Sequence, residues 1–469
     1  MRSDRERAGR PARAAPPRRR RAVLVPPGGG VPTPPRRVRW AGAVAALGCP
    51  PFRAFWAGAI CASTATWMLN LTVPLLLYRA TGQALWAGLG AFAQFVPAML
   101  GSPVGGLLAD RYPRRAVLAV TQLIALAVAL LLALLSRAGT AAPLALLALV
   151  AAAGAANGVQ TPAWQSLIPQ LVPPRHLLNA IALNAMQANF ARALGPVLAT
   201  AVLVRAGSTA AFLVAAGANV TMLLALTTIR PRTPAEPAPP EPVLARLRGG
   251  VRYTRRVPGL LVAVLLAGCV SFVGTPIVQL AAVFATDVYD AGTGGAGLLA
   301  SGLGIGAVLG AVLLSVYGSG RKRSAVAGVA LGVHGLATFA LAAAPSLWLG
   351  FAAVVVLGTS YLAVLSTANV TVQVLAPDAL RGRVASLYWM AFAGAYPLGA
   401  LTQGWLADLI GVRWAVALTG LALGAVVVSL RRRRLLDALD GAAHDVTSAR
   451  PRRRPRRPAA RPATWRARS

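Results

Sequence analysis

From Phe52 to Leu430 the chain returns again and again to uninterrupted apolar runs long enough to cross a lipid bilayer, and this feature removes most folds from consideration. A helix needs roughly 20 apolar residues to span the hydrocarbon core. Inside lipid every backbone N–H and C=O must be satisfied by the protein itself, which leaves only helices and closed barrels. The runs are continuous rather than alternating, so they read as helices. Composition agrees, because 56% of the 469 residues are hydrophobic and 13% are charged, a balance foreign to soluble globular proteins.

The pattern predicts twelve spans, at about 53–78, 84–108, 114–136, 143–168, 179–204 and 208–229, then 258–286, 293–318, 324–344, 346–373, 384–407 and 412–430. An even number places both chain ends on one side. Loops after spans 2, 4, 6, 8 and 10 hold most of the loop arginines, among them Arg111, Arg114, Arg115, Arg381 and Arg383, whereas the opposite ends offer Arg79, Arg137, Arg205 and Arg413. By the positive-inside rule the Arg-rich loops and both tails are expected to be cytoplasmic, in a cell membrane.

The expected organisation is a basic tail over 1–52, a six-helix half over 53–229, a linker over 230–257, a second six-helix half over 258–430 and a basic tail over 431–469. The tails account for most of the net charge of +35 and read as disordered Arg/Pro segments that face anionic lipid. They lack the aromatic interleaving and fold motifs of a nucleic-acid binder, so no nucleic-acid partner is expected. No apolar stretch with a cleavage site marks the first 30 residues as a signal peptide. Cys49, Cys61 and Cys269 form no CxxC, so neither a metal site, a disulfide framework nor a cofactor is expected.

An internal duplication gives the clearest structural clue. Shifted by 204 residues, "LVPPRHLLNAIALNAMQANFARALGP" lies on "LAPDALRGRVASLYWMAFAGAYPLGA", with Leu183 on Leu387, Met186 on Met390 and Gly195 on Gly399. Spans 2 and 8 align at a shift of 209, with Gly101 on Gly310 and Arg114 on Arg323. Two repeated six-helix halves with a substrate path between them is a secondary-transporter plan.

Between spans 2 and 3, Gly106-Leu107-Leu108-Ala109-Asp110-Arg111-Tyr112-Pro113-Arg114-Arg115 resembles the G-x-L-a-D-R-x-G-R-K signature of the major facilitator superfamily. Pro113 replaces the second glycine and Arg115 the lysine. "PFRAFWAG", "LLLYRATGQALWAGL", "NAIALN", "ARALGP" and "LRGRVASLY" are similar to its enterobactin-exporter and macrolide-efflux branch. The resemblance implies an all-α polytopic membrane protein of twelve helices and a conformational latch at Gly106, Asp110, Arg111, Arg114, Arg115 and Arg383. Asp110 would meet the N-terminus of span 11, where unpaired amides favour an anion. That contact would close one face while the site opens to the other. The second half has Ser319 in the place of Asp110, so the latch is expected once only. The alternative is that Asp110 ends a helix and neutralises local arginines.

The resemblance further implies a central cavity lined by spans 1, 4, 7 and 10, which nominates Trp67, Asn70, Asn157, Gln160, Trp164, Gln165, Gln279, Tyr361 and Asn369. Few charges, several aromatics and scattered amides suit a largely apolar molecule held by a handful of polar contacts. Gly195-Pro196 resembles the glycine–proline signature of exporters, and proline in mid-helix predicts a kink. Gly302, Gly306 and Gly310 place small residues on one face of span 8, a packing stripe expected also to let one half glide past the other.

Acids fall in tails, loops or helix ends, so no intramembrane carboxylate stands out as a proton carrier. Arg192, midway through span 5, is a charge at depth that must find acceptors. Two roles are open to it: a structural hydrogen-bond hub, or a contact for an anionic or strongly dipolar substrate. His334 in span 9 reads as structural. The function expected is export of a lipophilic small molecule (a drug, siderophore or secondary metabolite) by a monomeric carrier, with proton coupling suggested by analogy alone. Uptake by the same fold is the alternative. A membrane enzyme or receptor is disfavoured, since no acid, histidine or nucleophile cluster and no Walker sequence is present.

Overall fold

A computed structural model describes residues 44–139, 142–229, 243–274, 277–318 and 320–441. Expectations for 1–43, for the proline-rich 230–242, for Ser319 and for the tail beyond 441 lie outside these residues. The first six spans are α1 (Pro50–Thr81), α2 (Ala84–Arg111), α3 (Arg114–Arg137), α4 (Pro143–Leu171), and α5 and α6 within Leu177–Thr228. Helical hydrogen bonding runs through that last stretch, but Gly207 adopts φ 78°, ψ −178°, a left-handed conformation that turns the chain between α5 (177–206) and α6 (208–228). The second set is α7 (Pro258–Gly274 and Ile277–Val283, ending in a π-turn, Phe284–Val288), α8 (Gly292–Tyr317), α9 (Arg323–Ala343), α10 (Leu347–Leu375), α11 (Asp378–Ile410) and α12 (Val412–Arg432). With the corner at Gly207 counted, the described residues form the twelve apolar helices that the sequence predicts.

The duplication reappears in the packing. In the first half α1 packs on α5, α2 on α4, and α3 on α4 and α6; in the second, α7 packs on α11, α8 on α10, and α9 on α10 and α12. Helices α2 with α11 and α5 with α8 join the halves. Small residues make these approaches possible, because van der Waals contact rather than water release drives helix association in lipid. On α4, a Cβ at Gly154 or Gly158 would lie 2.1 or 2.0 Å from the carbonyl oxygens of Gln94 and Ala98 on α2. Gly101 and Gly105 of α2 answer from the other side, against Ala155 and Val159.

The equivalent seam in the second half corrects one expectation. Gly302, Gly306 and Gly310 meet Phe351, Val355 and Thr359 of α10, within their own half, so this stripe is packing and not a sliding surface between halves. Other glycines of α8 face across: Gly297 against Thr200 and Gly304 against Ala193, both on α5. The helical period decides the matter, since positions four apart share a face and 304 lies off the face of 302 and 306.

Two stretches read as linker and tail are also structured. Val243–Arg256 is a helix whose Gly249 and Gly250 lie beside Arg383 of α11. Leu244, Leu247 and Val251 recur there at helical spacing among five arginines, which mask the period in the composition. After α12, a 3-10 turn (Leu435–Asp440) buries Leu436 and Leu439 against the second half. Asp440 then accepts from the Ser324 amide at 3.2 Å and pairs with the Ser324 hydroxyl, holding the start of α9.

Candidate functional site

A cavity of about 250 Å3 opens within the first half, between α1, α3, α4 and α5. Trp67, Asn157, Gln160, Trp164 and Gln165 line it as nominated, with Ser63, Thr66, Thr161, Asn184 and Gln187. Helix register places Gln160, Trp164, Gln165, Asn184 and Gln187 toward the Arg-rich ends of α4 and α5, and Trp67 and Asn157 near mid-helix. Their amides form ordered pairs. Gln122 Nε2 donates to Gln160 Oε1 at 2.9 Å, and Trp164 Nε1 donates to Asn184 Oδ1 at 3.0 Å. The Gln122 and Gln187 Oε1 atoms are buried without a hydrogen-bond partner. Buried acceptors in this condition cost about 1–3 kcal/mol each unless water or a ligand satisfies them.

Gln122 comes from α3, a helix outside the nominated set. Thr121-Gln122 is a polar pair inside an otherwise apolar run, and that break in hydropathy was the available signal. Asn70, one turn along from Trp67, is buried with its Oδ1 unpartnered. The nominees from the second half do not join this cavity. Gln279 accepts from the Tyr396 hydroxyl at 2.7 Å, Tyr361 is buried beside the rings of His334 and Phe392, and Asn369 accepts from Gln373 at 2.5 Å.

At the end that bears Asp287 and Asp408 the two halves are closed on each other. Asp408 of α11 accepts the Ala84 and Leu85 amides of α2 at 2.6 and 2.8 Å. These are first-turn donors of α2, which Gln83 at the N-cap leaves without a side-chain partner. An acid from the other half therefore supplies the cap and the negative charge that this helix end favours. Nearby, the Tyr78 hydroxyl lies 2.5 Å from both Asp287 carboxylate oxygens, and Arg79 donates to Thr293 at 2.5 Å. Deeper, the Phe95 and Tyr396 rings meet across the halves at a tilt of 54°, with centroids 4.4 Å apart.

At the Arg-rich end the signature residues are not gathered into one contact. Asp110 and Arg111 are exposed, and the Asp110 carboxylate has no partner among the described residues. Arg114 donates to the Ser166 carbonyl near the end of α4 at 3.4 Å, and Arg115 donates to the Ile229 and Thr227 carbonyls at the end of α6 at 3.0 and 3.2 Å. Cations there complement helix C-termini. A Cβ on Gly106 would meet nothing, whereas Gly105 is pressed against the Val159 backbone. At Pro196 the helix is continuous, and Gly195 lets the Trp67 backbone of α1 approach so closely that a Cβ would sit 2.4 Å from the Trp67 Cβ.

Solved structures share this fold. A bacterial homolog of the human lysosomal transporter Spinster, in an inward-facing and unoccupied conformation, superposes with a TM-score of 0.63 at 18% identity over 83% of this chain and 93% of that one. The nucleoside transporter NupG superposes with a TM-score of 0.66 at 12% identity over 83% of this chain and 100% of that one. By sequence, the multidrug efflux pump Tap of Mycolicibacterium fortuitum is 28% identical over 376 residues, 78% of this chain and 91% of the pump. The family model described as transmembrane secretion effector matches residues 41–454. With a repeated twelve-helix architecture and a family match over nearly all of its length, the chain is a membrane transporter that belongs to the transmembrane secretion effector family of the major facilitator superfamily.

Proposed function

We propose that this transporter exports a largely apolar small molecule from the cytoplasm across the cell membrane by alternating access. The observation that carries the reading is the amide- and indole-lined cavity toward the Arg-rich side, with the halves joined at the opposite end through Asp408, Asp287 and the tilted Phe95–Tyr396 pair. The excess of basic loops supports a cytoplasmic Arg-rich side, so the described state is the one that loads from within. Similarity to an efflux pump over most of its length supports the direction. Trp67, Asn157, Gln160, Trp164 and Gln165 hold the substrate. Gln279, Tyr361 and Asn369 join it only when the second half rotates.

Asp110 is read as the latch of the opposite state. When the cytoplasmic ends close, its carboxylate reaches the N-terminus of α11 near Arg383, the mirror of what Asp408 does for α2 in the closed end seen here. Gly106, with open space around it now, is where α11 would pack. Gly106→Val is accordingly expected to leave thermal stability within about 0.5 kcal/mol of the parent, as surface substitutions do, yet to stop transport. Full transport by that variant would remove the latch from this position.

Export itself is tested by untargeted mass spectrometry on cells that carry the parent, Asp110→Asn or an empty vector at matched expression. A compound enriched outside only with the parent is the expected result. Enrichment inside cells would reverse the direction.

A further inference from the structure

We infer that the cavity selects organic anions, with Arg192 binding the anionic oxygen at its deep end; the inference rests on the export reading and names its substrate class. Asn184 and Ala188 line the cavity from α5, and Arg192 is the next residue on that face at a spacing of four. Its guanidinium lies over the Trp67 ring, 5.0 Å from the centroid, and Trp67 is itself a wall of the cavity. The flat face of the cation is thus occupied, while its N–H edge is not: Nε is buried with no hydrogen-bond partner.

Electrostatics sharpen the point. Arg192 stands midway along α5, about 22 Å from the helix start at 1.5 Å per residue, and its guanidinium is a cation that offers only N–H donors. The described acids lie at or beyond helix ends, at Asp110, Asp287, Asp290, Asp378, Asp408, Asp437 and Asp440, so none among the described residues neutralises this cation at its depth. A cation without a counter-ion in a low-dielectric interior is costly, and such residues mark substrate pathways. A carboxylate or a comparable planar oxyanion fits the unused edge with two parallel N–H···O bonds.

The rest of the ligand follows from the walls. Trp67 and Trp164 offer ring faces and the unpartnered Gln122 and Gln187 oxygens accept hydrogen bonds, so the body of the molecule is a compact ring that carries donors. A neighbouring contact gives the anion leverage on the cycle. Ala193, the next residue, packs on Gly304 of α8 across the two halves, so an ion pair formed at Arg192 bears directly on the surface along which the halves turn.

The test uses the purified transporter in zwitterionic lipid nanodiscs with three probes of one shape: 2-naphthoate, its methyl ester and 2-naphthylmethylammonium. Naphthoate is expected to bind at least about tenfold tighter than the other two, a difference of about 1.4 kcal/mol. Arg192→Gln is expected to abolish that preference and leave the ester unchanged. Should that variant fail to fold, Arg192→Lys carries the comparison, keeping the preference for the anion but with weaker binding because the planar fork is gone. Equal or tighter binding of the ester or the ammonium, no binding of naphthoate, or variants indistinguishable from the parent would overturn the inference. Cells preloaded with naphthoate separate it from the export reading: selective binding without faster extrusion keeps the anion site and sinks the direction.

Discussion

Gly158→Val is expected to leave almost no folded transporter. A Cβ at this position would sit 2.0 Å from the Ala98 carbonyl oxygen and 2.7 Å from its carbon, both backbone atoms of α2. Overpacking in a core costs about 1–3 kcal/mol when side chains can move aside. Here nothing flexible can yield, so α2 and α4 must part along their length. The same seam carries Gly154, Gly101 and Gly105, and opening it at one point loosens contacts at the others. Against a total stability of about 5–15 kcal/mol for a typical domain, this is a large fraction. Size-exclusion chromatography in detergent checks it, through loss of the monodisperse peak. Gly217→Val is the control: nothing lies within 4 Å of a Cβ there, and it is expected to elute like the parent. A normal peak for Gly158→Val would mean that the α2–α4 seam is looser than its geometry indicates.

The second large effect concerns the balance between states rather than the fold. Asp408→Asn keeps the shape of the side chain, but it removes the charge and one of the two acceptors that hold the first amides of α2. Hydrogen bonds to charged groups contribute about 1.5–3 kcal/mol where shielded, and the exposure of Asp408 lowers that. A loss of about 1–2 kcal/mol moves the equilibrium between closed and open forms of this end by a factor of roughly 5–30. Tyr78→Phe, which removes the hydroxyl from Asp287 and keeps the ring, is expected to act in the same direction. Electron–electron resonance distances report this, with the native cysteines replaced. Labels at Ala138→Cys and Ala343→Cys should spread to longer separations at the acid-bearing end, and labels at Tyr112→Cys and Tyr317→Cys should draw together at the Arg-rich end. Distributions that match the parent in both pairs would show that Asp408 is not part of the gate.

The Asp408 contact also explains why one acid was legible and another was not. Asp110 stands in a recognisable signature, GGLLADRYPRR, whereas Asp408 sits in GWLADLIGVR, which reads as an ordinary helix end. Only when α11 packs beside α2 does its carboxylate meet unpaired amides. The cavity divides in the same manner. Trp67, Asn157, Gln160, Trp164 and Gln165 were readable as polar and aromatic positions in apolar spans, and they meet. Gln279 and Tyr361 carry the same signal but are turned onto Tyr396 and onto the His334 and Phe392 rings. A residue's chemistry is local, whereas the partner it finds depends on helix rotation, which a one-dimensional pattern leaves open.

Features that depend on transfer into lipid are legible in the residues alone: twelve helices, their limits to within a few residues, their alternation across the bilayer and their grouping by duplication. Each of these follows from apolar length, loop charge or repeat, and lipid enforces them because an unsatisfied backbone group there costs several kcal/mol. Which faces touch emerges only when the helices pack. Gly302 and Gly306 turn to their own half and Gly304 to the other, Arg114 and Arg115 close helix ends rather than meet Asp110, and Arg192 lies over Trp67 with a free edge. Between helices in lipid the energies are short-range packing and a few hydrogen bonds, and those depend on distances of an ångström that no residue carries on its own.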